Sequence, residues 1–571
     1  MNDCMIRNGL IVDGTGQEPF RADVAIDNGR IVELGTTSES ARREIDADGL
    51  VVSPGFIDIH THYDAQVMWD PTMSPSPLHG VTTVFGGNCG FTLAPIDPST
   101  VDYLTRMLSR VEGMPLESLQ SGVDFSWSSF GEYLDRIEGR LAVNAGFLVG
   151  HSALRCAVMG RDAVGRVATS TELQQMKQLL KASLEAGGMG FSSTWSTTHS
   201  DSDGNPVPSR WADSEELLGL ASVTGEHPGT TMEFLPGSFS DERIDLMTRM
   251  SLSAARPLNW NLLTVAADMA DAVEQQLVAT DYARARGAEV LALTLGDLSE
   301  SRFTFHTGVV LDSIPGWAQL FLLPARERIQ WLSDPARRAE MVRSAATIEK
   351  RRHRLIQWDR YRVLETFAPQ NEDLSGRTIG SIAAERGSDP FDTLLDIVVA
   401  DELRTSVASP IAGDDDASWR MRADVWRDSR TVLGGTDAGA HLDMLSTFTS
   451  TTGLLARGVR ERQLLRLEEA VHQLTAVPAR LYGLKGRGVL KVGNHADLVL
   501  FDPETVGPLP VATRYDLPSG AGRLYGEAAG IQHVLVNGVE IVNDQGFTGA
   551  LPGCVMRSGR DTVSNIPKTA A

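Results

Sequence analysis

Between about residues 54 and 484, apolar runs typical of strands alternate with segments of helical pattern. The eight runs are VVSPGFIDIH, GVTTVFGGN, VNAGFLVGH, GGMGFSS, GTTMEFLP, RPLNWNLLTV, AEVLALTL and TVLGGTD. One intervening segment, TELQQMKQLLKASLEAG, starts with Thr, repeats apolar residues every three or four positions and ends in Gly, as helices do. Because strands that alternate with helices pair in parallel, the pattern predicts an α/β fold with a closed (β/α)₈ barrel.

Both ends of the chain have a β-rich pattern. MIRNGLIVDG, ADVAIDNGRIVELG and REIDADGLVVSPG alternate apolar and polar positions, and GNHADLVLFDPETV and IQHVLVNGVEIVNDQG repeat this texture near the C-terminus. Asn-Gly and Asp-Gly pairs at the breaks favour tight hairpins. Neither end alone has enough strands to bury a core. We therefore predict a small β-sandwich built from residues 1–53 and 485–571, with the barrel in residues 54–484.

The stretch from about residue 296 to 430 is too long for one connection between neighbouring strands of a barrel. It contains patches rich in Trp, Arg and Pro. We interpret it as an insertion, for which two roles remain open: a lid over the barrel mouth or a stabilising surface elaboration.

The net charge and the spacing of the cysteines argue against several kinds of partner and site. The formal net charge of −22 argues against a nucleic acid or an anionic membrane as partner, because phosphate binding needs a basic face. The four cysteines are too widely spaced for a disulfide framework or a CxxC zinc site. The N-terminus has no basic region followed by a long apolar core, and no run of about eighteen apolar residues occurs in the sequence, which predicts a cytoplasmic protein. The exposed helices of a barrel would also allow a homo-oligomer.

The strongest local signal is GFIDIHTHYD, in which His60 and His62 end an apolar strand. Residues two apart on a strand point to the same side, so both imidazoles would enter a site from one wall. Imidazole is a preferred ligand of zinc and related ions. The motif therefore predicts a metal site.

Two further motifs follow other predicted strands. GNCGFTLAP places Cys89 after GVTTVFGG, where a thiolate could bind metal; the alternative is a buried cysteine in a glycine-rich turn. TVLGGTDAGAH places Asp437 late in the barrel, where a carboxylate could move protons; the alternative is a helix cap. His441 and Asp443 are further candidates nearby.

These motifs resemble the amidohydrolase superfamily, and most closely its N-acyl-D-amino-acid deacylase branch. The resemblance covers nearly the whole chain, from SPGFIDIHTHYD to VPARLYGLKGRGVLKVGNHADLVLFDP, and the GNCG cysteine points to this branch. It implies Zn²⁺ or another divalent ion as cofactor and a metal-activated water that attacks an amide carbonyl. Carried over, it makes His60, His62 and Cys89 metal ligands and Asp437 both a ligand and the catalytic acid/base.

The chain departs from the branch at two strands. D-aminoacylases carry a histidine at the end of strand five and another at strand six, where this chain reads GTTMEFLPG and RPLNWNLLTV. Glu233, Asn259 and Asn261 stand about there: Glu233 is a candidate oxygen ligand or a structural carboxylate, and the two asparagines are candidate substrate contacts. GGMGFSSTW also lacks the lysine that many members carboxylate to bridge two metals. We therefore expect one ion per chain rather than two.

Other candidates belong to substrate binding. His151 ends the third strand-like run and could contact substrate or metal. His199, Asp201 and Arg210 lie in the polar loop after the fourth run. A guanidinium matches a carboxylate in bidentate fashion, which makes Arg210 a candidate for the carboxylate of an acyl-amino acid. An ordinary solvated loop is the alternative.

The sequence thus predicts a metal-dependent hydrolase of an amide bond in a small molecule, an N-acyl-(D-)amino-acid deacylase. Two alternatives stay open. A cyclic amide or imide hydrolase, or a metal-dependent decarboxylase, could use the same scaffold with the changed ligand set. A non-catalytic binding protein is a third reading, against which the presence of His60, His62 and Asp437 argues.

Overall fold

The computed structural model describes residues 1–298, 300–308, 310–411 and 413–567. Its strands up to the middle of the chain are β1 (Asn2–Ile11), β2 (Phe20–Asp27), β3 (Arg30–Gly35), β4 (Ala41–Asp46), β5 (Val51–Pro54), β6 (Phe56–Asp58), β7 (Val81–Gly86), β8 (Asn144–Phe147), β9 (Val149–Gly150), β10 (Gly190–Thr194), β11 (Thr231–Leu235), β12 (Leu258–Trp260) and β13 (Val290–Thr294). The later strands are β14 (Arg302–Thr304), β15 (Arg362–Glu365), β16 (Ser406–Ala408), β17 (Thr431–Leu433), β18 (Leu498–Phe501), β19 (Gly507–Pro508), β20 (Ala512–Arg514), β21 (Arg523–Tyr525), β22 (Ala528–Ala529), β23 (Ile531–Val536), β24 (Val539–Asn543) and β25 (Gly546–Phe547).

The helices are α1 (Val101–Val111), α2 (Leu116–Gly122), α3 (Phe130–Ile137), α4 (His151–Met159), α5 (Ser170–Glu185), α6 (Ser214–Gly225), α7 (Asp241–Ala254), α8 (Ala270–Arg284), α9 (Ala318–Phe321), α10 (Ala325–Ser333), α11 (Pro335–Ala345), α12 (Ile379–Arg386), α13 (Pro390–Ala400), α14 (Asp416–Arg427), α15 (Ser450–Gly453), α16 (Leu467–Leu474) and α17 (Ala476–Leu481). The predicted helix in TELQQMKQLLKASLEAG is confirmed as α5. It begins with a capping box in which Thr169 and Glu172 bond each other's backbone N–H groups. No helix among the described residues combines the length and apolarity needed to cross a membrane.

Strands from both ends of the chain share one sheet. Its order is β25-β24-β23-β18-β5-β1-β2-β3, with β4 beside β1. The joint between the two ends is the antiparallel pair β5–β18, in which Val52 lies opposite Leu500. Both side chains are fully buried in a core that the two ends build together. The predicted pairing of the ends is therefore confirmed as a nine-stranded sheet, whereas a two-layer sandwich stays a prediction.

All eight predicted strand runs of the middle of the chain are confirmed as strands. They form two parallel ladders, β6-β7-β8 and β9-β10-β11-β12-β13-β17, and β8 and β9 are separated by Leu148 alone. At the outer edges Thr61 pairs with Ala438 in parallel, and the backbone N–H of Asp437 donates to the carbonyl of His60 at 3.2 Å. The residues after β6 and β17 are thereby adjacent, although about 375 positions separate them in the chain.

A second core lies among the parallel strands and is completed from far along the chain. Ile57, Phe85 and Leu293 pack there with Tyr482 and Met556. The Tyr482 hydroxyl donates to the carbonyl of Ile59 at 3.1 Å. The C-terminal segment runs beside β8, where the N–H of Met556 donates to the carbonyl of Ala145 at 2.7 Å. This segment therefore covers the strands near their amino-terminal ends, away from His60.

The long connection after β13 contains a small unit with its own core. β14, β16 and β15 form an antiparallel sheet, and buried side chains from Phe303 to Val407, joined by Met444, form a cluster distinct from the main core. Trp317 is fully buried in this cluster and stacks on Trp358 with ring centroids 5.5 Å apart. α14 belongs instead to the main core through Trp419 and Trp426. Within the span of 296–430 that is predicted as an insertion, α14 therefore does not belong to the separate core.

Candidate metal and catalytic site

Two histidines and a cysteine meet at the carboxyl-terminal ends of the first parallel strands. His60 and His62 follow β6, and Cys89 follows β7 in a left-handed turn with φ of 54°. Their ligand atoms lie within 4.8 Å of one another, and His60 Nε2 is 3.5 Å from Cys89 Sγ. All three side chains are buried. Because parallel strands carry their carboxyl ends to one edge, strand order alone brings these residues together.

The turn that carries Cys89 is held from two other strands. The N–H of Cys89 donates to Glu233 Oε2 at 2.8 Å, and the N–H of Gly90 donates to Ser192 Oγ at 3.0 Å. The Ser192 hydroxyl in turn donates to the carbonyl of Gly87. Gly87 has a positive φ of 76°, and a methyl group there would lie 2.2 Å from the carbonyl oxygen of Leu148. The turn therefore requires glycine, and its position is fixed by β10 and β11.

Asp437 lies beside the two histidines. Its Oδ1 is 3.2 Å from His60 Nε2 and 3.8 Å from His62 Nε2, and it accepts a hydrogen bond from Asn261 Nδ2 at 3.0 Å. Burial alone would raise the pKa of Asp437, but hydrogen bonds and charge from His60 and His62 hold that pKa below its ordinary value. Its side chain is 22% exposed, whereas that of His60 is fully buried. Of these two side chains, only that of Asp437 can therefore be reached from outside.

Glu112 is a residue of this site that the sequence did not suggest. Its Oε1 lies 3.4 Å from His62 Nδ1, and its carbonyl accepts the N–H of His441. Burial lowers the pKa of His62, but the charges of Glu112 and Asp437 outweigh it and raise that pKa to about 9. Glu112 follows α1 directly, and a buried carboxylate at a helix C-terminus opposes the helix dipole. An acidic residue at the C-terminal end of a helix is the one sequence feature that could have identified Glu112 as a site residue.

The residues at the strand positions without histidine have different surroundings. Glu233 is fully buried, its Oε1 has no hydrogen-bond partner among the described residues, and burial raises its pKa to about 8. Asn261 holds Asp437, as described above. Asn259 donates from Nδ2 to the carbonyl of Met232 at 3.1 Å, and its Oδ1 has no partner within the described part of the chain. Glu233 and Asn261 therefore join the cluster directly, whereas Asn259 faces the backbone of β11.

The structure places His151 in a separate buried network. His151 Nδ1 is 2.8 Å from Ser193 Oγ, and Nε2 is 2.7 Å from Glu216 Oε1. Arg155 binds both oxygens of Glu216 at 2.6 Å. Burial lowers the pKa of His151, which favours the neutral ring. Because both ring nitrogens have partners, His151 offers no free atom to a metal or a substrate.

The loop after β10 brings His199 close to the site. The His199 side chain is half-buried, its ring lies 5.2 Å from the ring of Phe91, and its Nδ1 atom is buried without a partner among the described residues. Burial, with the nearby charges of His441 and His62, lowers its pKa to about 3. Arg210 donates from Nη1 to the carbonyl of His199 at 2.9 Å. Asp201 accepts the hydroxyl of Tyr103 at 3.1 Å and so braces the loop.

The two remaining candidates follow Asp437. The N–H of His441 is bound by Glu112, and His441 Nδ1 is buried without a partner in the described part of the chain. Asp443 accepts the hydroxyl of Thr307 at 2.6 Å. Asp443 therefore contacts the insertion rather than the histidine cluster.

The donor set fits a divalent cation such as Zn²⁺. Two imidazoles and a thiolate are preferred zinc ligands, and carboxylates supply oxygen ligands. Burial and the negative charge of Glu233 raise the pKa of Cys89 well above its ordinary value, and a bound cation would reverse this effect. Glu112, Glu233 and Asp437 surround the cluster, and Oε1 of Glu233 lacks a partner among the described residues. Buried carboxylates gathered in this way need a compensating positive charge.

Comparison with known proteins adds independent observations. Residues 43–542 match the model of the Amidohydrolase family. A D-aminoacylase of Alcaligenes xylosoxydans xylosoxydans is 29% identical over 560 residues, which cover 97% of each chain. A solved D-aminoacylase with a binuclear metal centre has a TM-score of 0.65 at 27% identity and covers 98% of this chain and all of its own. An N-acyl-D-glutamate deacylase from Bordetella bronchiseptica, solved with zinc and a phosphonate inhibitor, has a TM-score of 0.64 at 27% identity with the same coverage.

Proposed function

Because this chain belongs to the amidohydrolase family, we propose that it is a metal-dependent hydrolase of N-acyl amino acids, with D-amino acids as the favoured class. The observation that carries the proposal is the buried cluster of His60, His62 and Cys89 with Asp437 against it. Similar proteins named as deacylases act on carbon–nitrogen bonds other than peptide bonds, and the same type of bond is the substrate proposed here.

Metal binding, proton transfer and positioning would fall to different side chains of the site. Bound by His60, His62 and Cys89, with Asp437 or Glu233 as an oxygen ligand, Zn²⁺ would polarise the amide carbonyl and acidify a water. Asp437 accepts the proton of the attacking water and returns it to the departing nitrogen. The amide of Asn261 fixes Oδ1 of Asp437 and so aims the carboxylate. Glu112 orients the ring of His62 from the opposite nitrogen.

One ion per chain suits these residues better than two. The solved D-aminoacylase has a binuclear centre. In this chain Glu233, Asn259 and Asn261 stand where the second set of histidines would be expected. The side-chain atoms without a partner among the described residues at these positions are all oxygens, Oε1 of Glu233 and Oδ1 of Asn259 and of Asn261. Only one of the three belongs to a carboxylate, and zinc prefers imidazole, thiolate and carboxylate ligands to neutral amides.

Arg210 is the proposed partner of the substrate carboxylate. It lies on the loop with His199 and no described carboxylate forms an ion pair with it. Burial lowers its pKa, so a carboxylate ligand would restore a favourable environment for the charge. His199, with a free Nδ1, would contact the same half of the substrate.

The proposed function also requires a particular arrangement of the strands and of the flanking segments. We infer that the two parallel ladders close into a (β/α)₈ barrel over residues 54–484. The contacts between Thr61 and Ala438 and between Asp437 and His60 support the closure. Residues 1–53 and 485–571 would then form the flanking β domain, with the insertion over the carboxyl-terminal face of the strands.

Metal content is the direct test. Wild-type protein purified without chelator should hold about one zinc-like ion per chain, and the double variant His60→Ala with His62→Ala should lose it, because two ligands are removed. His353→Ala is the matched control, since His353 is an exposed histidine of the insertion. Two ions per chain would contradict the single site, and metal-free wild type would contradict the mechanism.

Product analysis then tests the reaction. Incubation with N-acetyl-D- and N-acetyl-L-amino acids should release acetate and the free amino acid, with faster release from the D enantiomers. A ring-opened product from cyclic amides, without deacylation, would favour a cyclic amide or imide hydrolase instead. Release of carbon dioxide without deacylation would favour a metal-dependent decarboxylase.

A further inference from the structure

A cleft of about 700 Å³ lies between the insertion, the π-helix Leu454–Glu461 and the loop that carries β19. We call it the arginine cleft, because its charged lining consists of four guanidinium groups and two carboxylates: Arg302, Arg362, Arg457 and Arg460, with Glu300 and Glu461. Neither the histidine and cysteine cluster nor Asp437 lines it. The arginine cleft is therefore separate from the proposed catalytic site, and its volume lies within the range of sites that bind small organic molecules.

One wall of the arginine cleft has an unusual backbone. π-helices are rare in proteins, and where one occurs it frequently lies at a functional site. Leu454–Glu461 forms such a helix, and both Arg457 and Arg460 of this helix line the cleft. The wall that supplies half of the guanidinium groups thus has a conformation that is typical of binding sites.

Three of the four guanidinium groups have a carboxylate partner and are still accessible. The pairs are Arg362 with Glu300, Arg457 with Asp297 at 2.5 Å and Arg460 with Glu461 at 3.8 Å. The side chains of these three arginines are 43%, 36% and 28% exposed, respectively. A guanidinium has more N–H donors than one carboxylate can accept from, so these groups can also donate to a ligand in the cleft.

Arg302 is the exception among the four. The residue is 6% exposed, its Nη2 donates to the carbonyl of Val511 at 2.8 Å, and its Nε and Nη1 have no partner among the described residues. Burial lowers the pKa of Arg302 although the charges of Glu300 and Glu365 oppose this effect. Both oxygens of Glu365 accept hydrogen bonds from Thr513 instead. The described part of the chain thus leaves the buried charge of Arg302 incompletely compensated, which is costly.

The rest of the lining favours an organic ligand over a small inorganic anion. Apolar side chains of the insertion, of the segment before it and of the loop around β19 line the cleft: Leu298, Val363, Leu364, Leu509 and Val511. Leu509 is 42% exposed. An inorganic anion would leave this apolar surface in water, whereas an apolar group of a ligand would cover it.

We propose that the arginine cleft binds an organic monocarboxylate with an apolar body. Its carboxylate accepts hydrogen bonds from the partly exposed guanidinium groups, and its single negative charge compensates that of Arg302 behind them. Its apolar part lies against Leu509 and Val511. The inference is independent of the proposed function, because the arginine cleft shares no residue with the metal cluster.

Calorimetry with hexanoate, and with hexanamide as its neutral analogue, tests the role of charge. Wild type should bind hexanoate at least about tenfold more tightly than hexanamide, because hydrogen bonds between charged groups are the stronger ones. Arg302→Met removes the uncompensated charge and should lower the affinity for hexanoate by about tenfold. Arg343→Met is the matched control, since Arg343 is an exposed arginine of the insertion that does not line the cleft. It should keep the wild-type affinity.

A second variant leaves all four arginines in place. Leu509→Trp fills part of the arginine cleft and should also lower the affinity for hexanoate by about tenfold, because the ligand loses its apolar contact. Leu551→Trp is its control, at a leucine that is 40% exposed and lies outside the cleft. Melting curves without ligand check folding. Arg302→Met should have a Tm equal to or above that of wild type, because a buried charge without a carboxylate partner stabilises little.

Three results would overturn the monocarboxylate site. The first is equal affinity of wild type for hexanoate and hexanamide. The second is unchanged hexanoate binding in either folded cleft variant, which would mean that hexanoate binds elsewhere, for example on the metal. The third is inorganic phosphate that binds more tightly than hexanoate and loses affinity in Arg302→Met, which would assign the cleft to a phosphate group. None of these results bears on the deacylase activity, which product analysis measures separately.

Discussion

At the scale of single residues, the carboxylate of Glu112 shows how a site depends on residues that carry no motif. As a proposed metal ligand, His62 would need one ring nitrogen free for the ion and the other held, and the carboxylate of Glu112 lies 3.4 Å from its Nδ1. The same residue binds the N–H of His441 through its carbonyl, so the end of α1 braces two sides of the site. Glu112 thus acts on the proposed metal through His62.

Replacing Glu112 should weaken metal binding without unfolding the protein. Glu112→Ala removes the group that orients His62, and the metal dissociation constant should rise about 10- to 100-fold. Glu112→Gln keeps the shape of the side chain but not its charge and should lie between wild type and Ala. Competition with a chromogenic chelator measures the constant. Glu185→Gln, at an exposed helix position, is the control, and equal affinity in all variants would contradict the role of Glu112.

The sequence identified His60, His62, Cys89 and Asp437, and the structure brings these four side chains together; their roles as ligands and proton carrier stay predictions. These residues could be found because they stand at strand ends, where fold topology dictates proximity. His151 stands at a strand end too, but its partner Glu216 lies 65 positions away on α6. Such a partner depends on packing between helices and strands, which no local pattern encodes.

At the scale of elements, periodicity predicted the eight parallel strands and α5 because each has a repeating apolar face or an apolar run with clear ends. Periodicity did not indicate which part of residues 296–430 forms a core of its own. α14 has an amphipathic pattern like that of its neighbours, yet Trp419 and Trp426 join the main core. An apolar face shows that a helix is buried against something, but it does not show which of two adjacent cores receives it.

The separate core of the insertion predicts local unfolding. Trp317→Ala removes a fully buried side chain and should destabilise this unit by about 3–5 kcal/mol. Hydrogen exchange followed by mass spectrometry should then show lost protection between residues 303 and 407. Peptides of β10 to β12 should keep theirs, because their core is separate. Loss of protection in both regions would show that the two cores unfold together.

At the scale of the whole molecule, segments that are far apart in the sequence pair with each other at two places. β5 pairs with β18, and the segment around Met556 pairs with β8. Neither contact could be read from local sequence, since each joins segments hundreds of positions apart. The first could still be inferred, because two β-rich ends that cannot bury a core alone must find each other. The second follows no repeating pattern and was not predicted.

Met556 should matter for stability far more than its place near the C-terminus suggests. It is fully buried among the parallel strands, so Met556→Ala should lower the free energy of unfolding by about 2–5 kcal/mol. Leu551→Ala is the matched control in the same segment, at 40% exposed, and should change it by less than about 0.5 kcal/mol. Urea denaturation measures both, and equal effects would contradict the role of the segment as part of the core.

The pairing of β5 with β18 also means that β5 is synthesised long before its partner strand. Val52 leaves the ribosome about 450 residues before Leu500, which at the usual 5–20 residues per second is a wait of about 20 to 90 s. During this time β5 has a free edge on the side that β18 will occupy, and such edges attract other chains. The nascent protein should therefore depend on chaperones until its last strands emerge, and slow translation of the final third should lower the yield of folded enzyme.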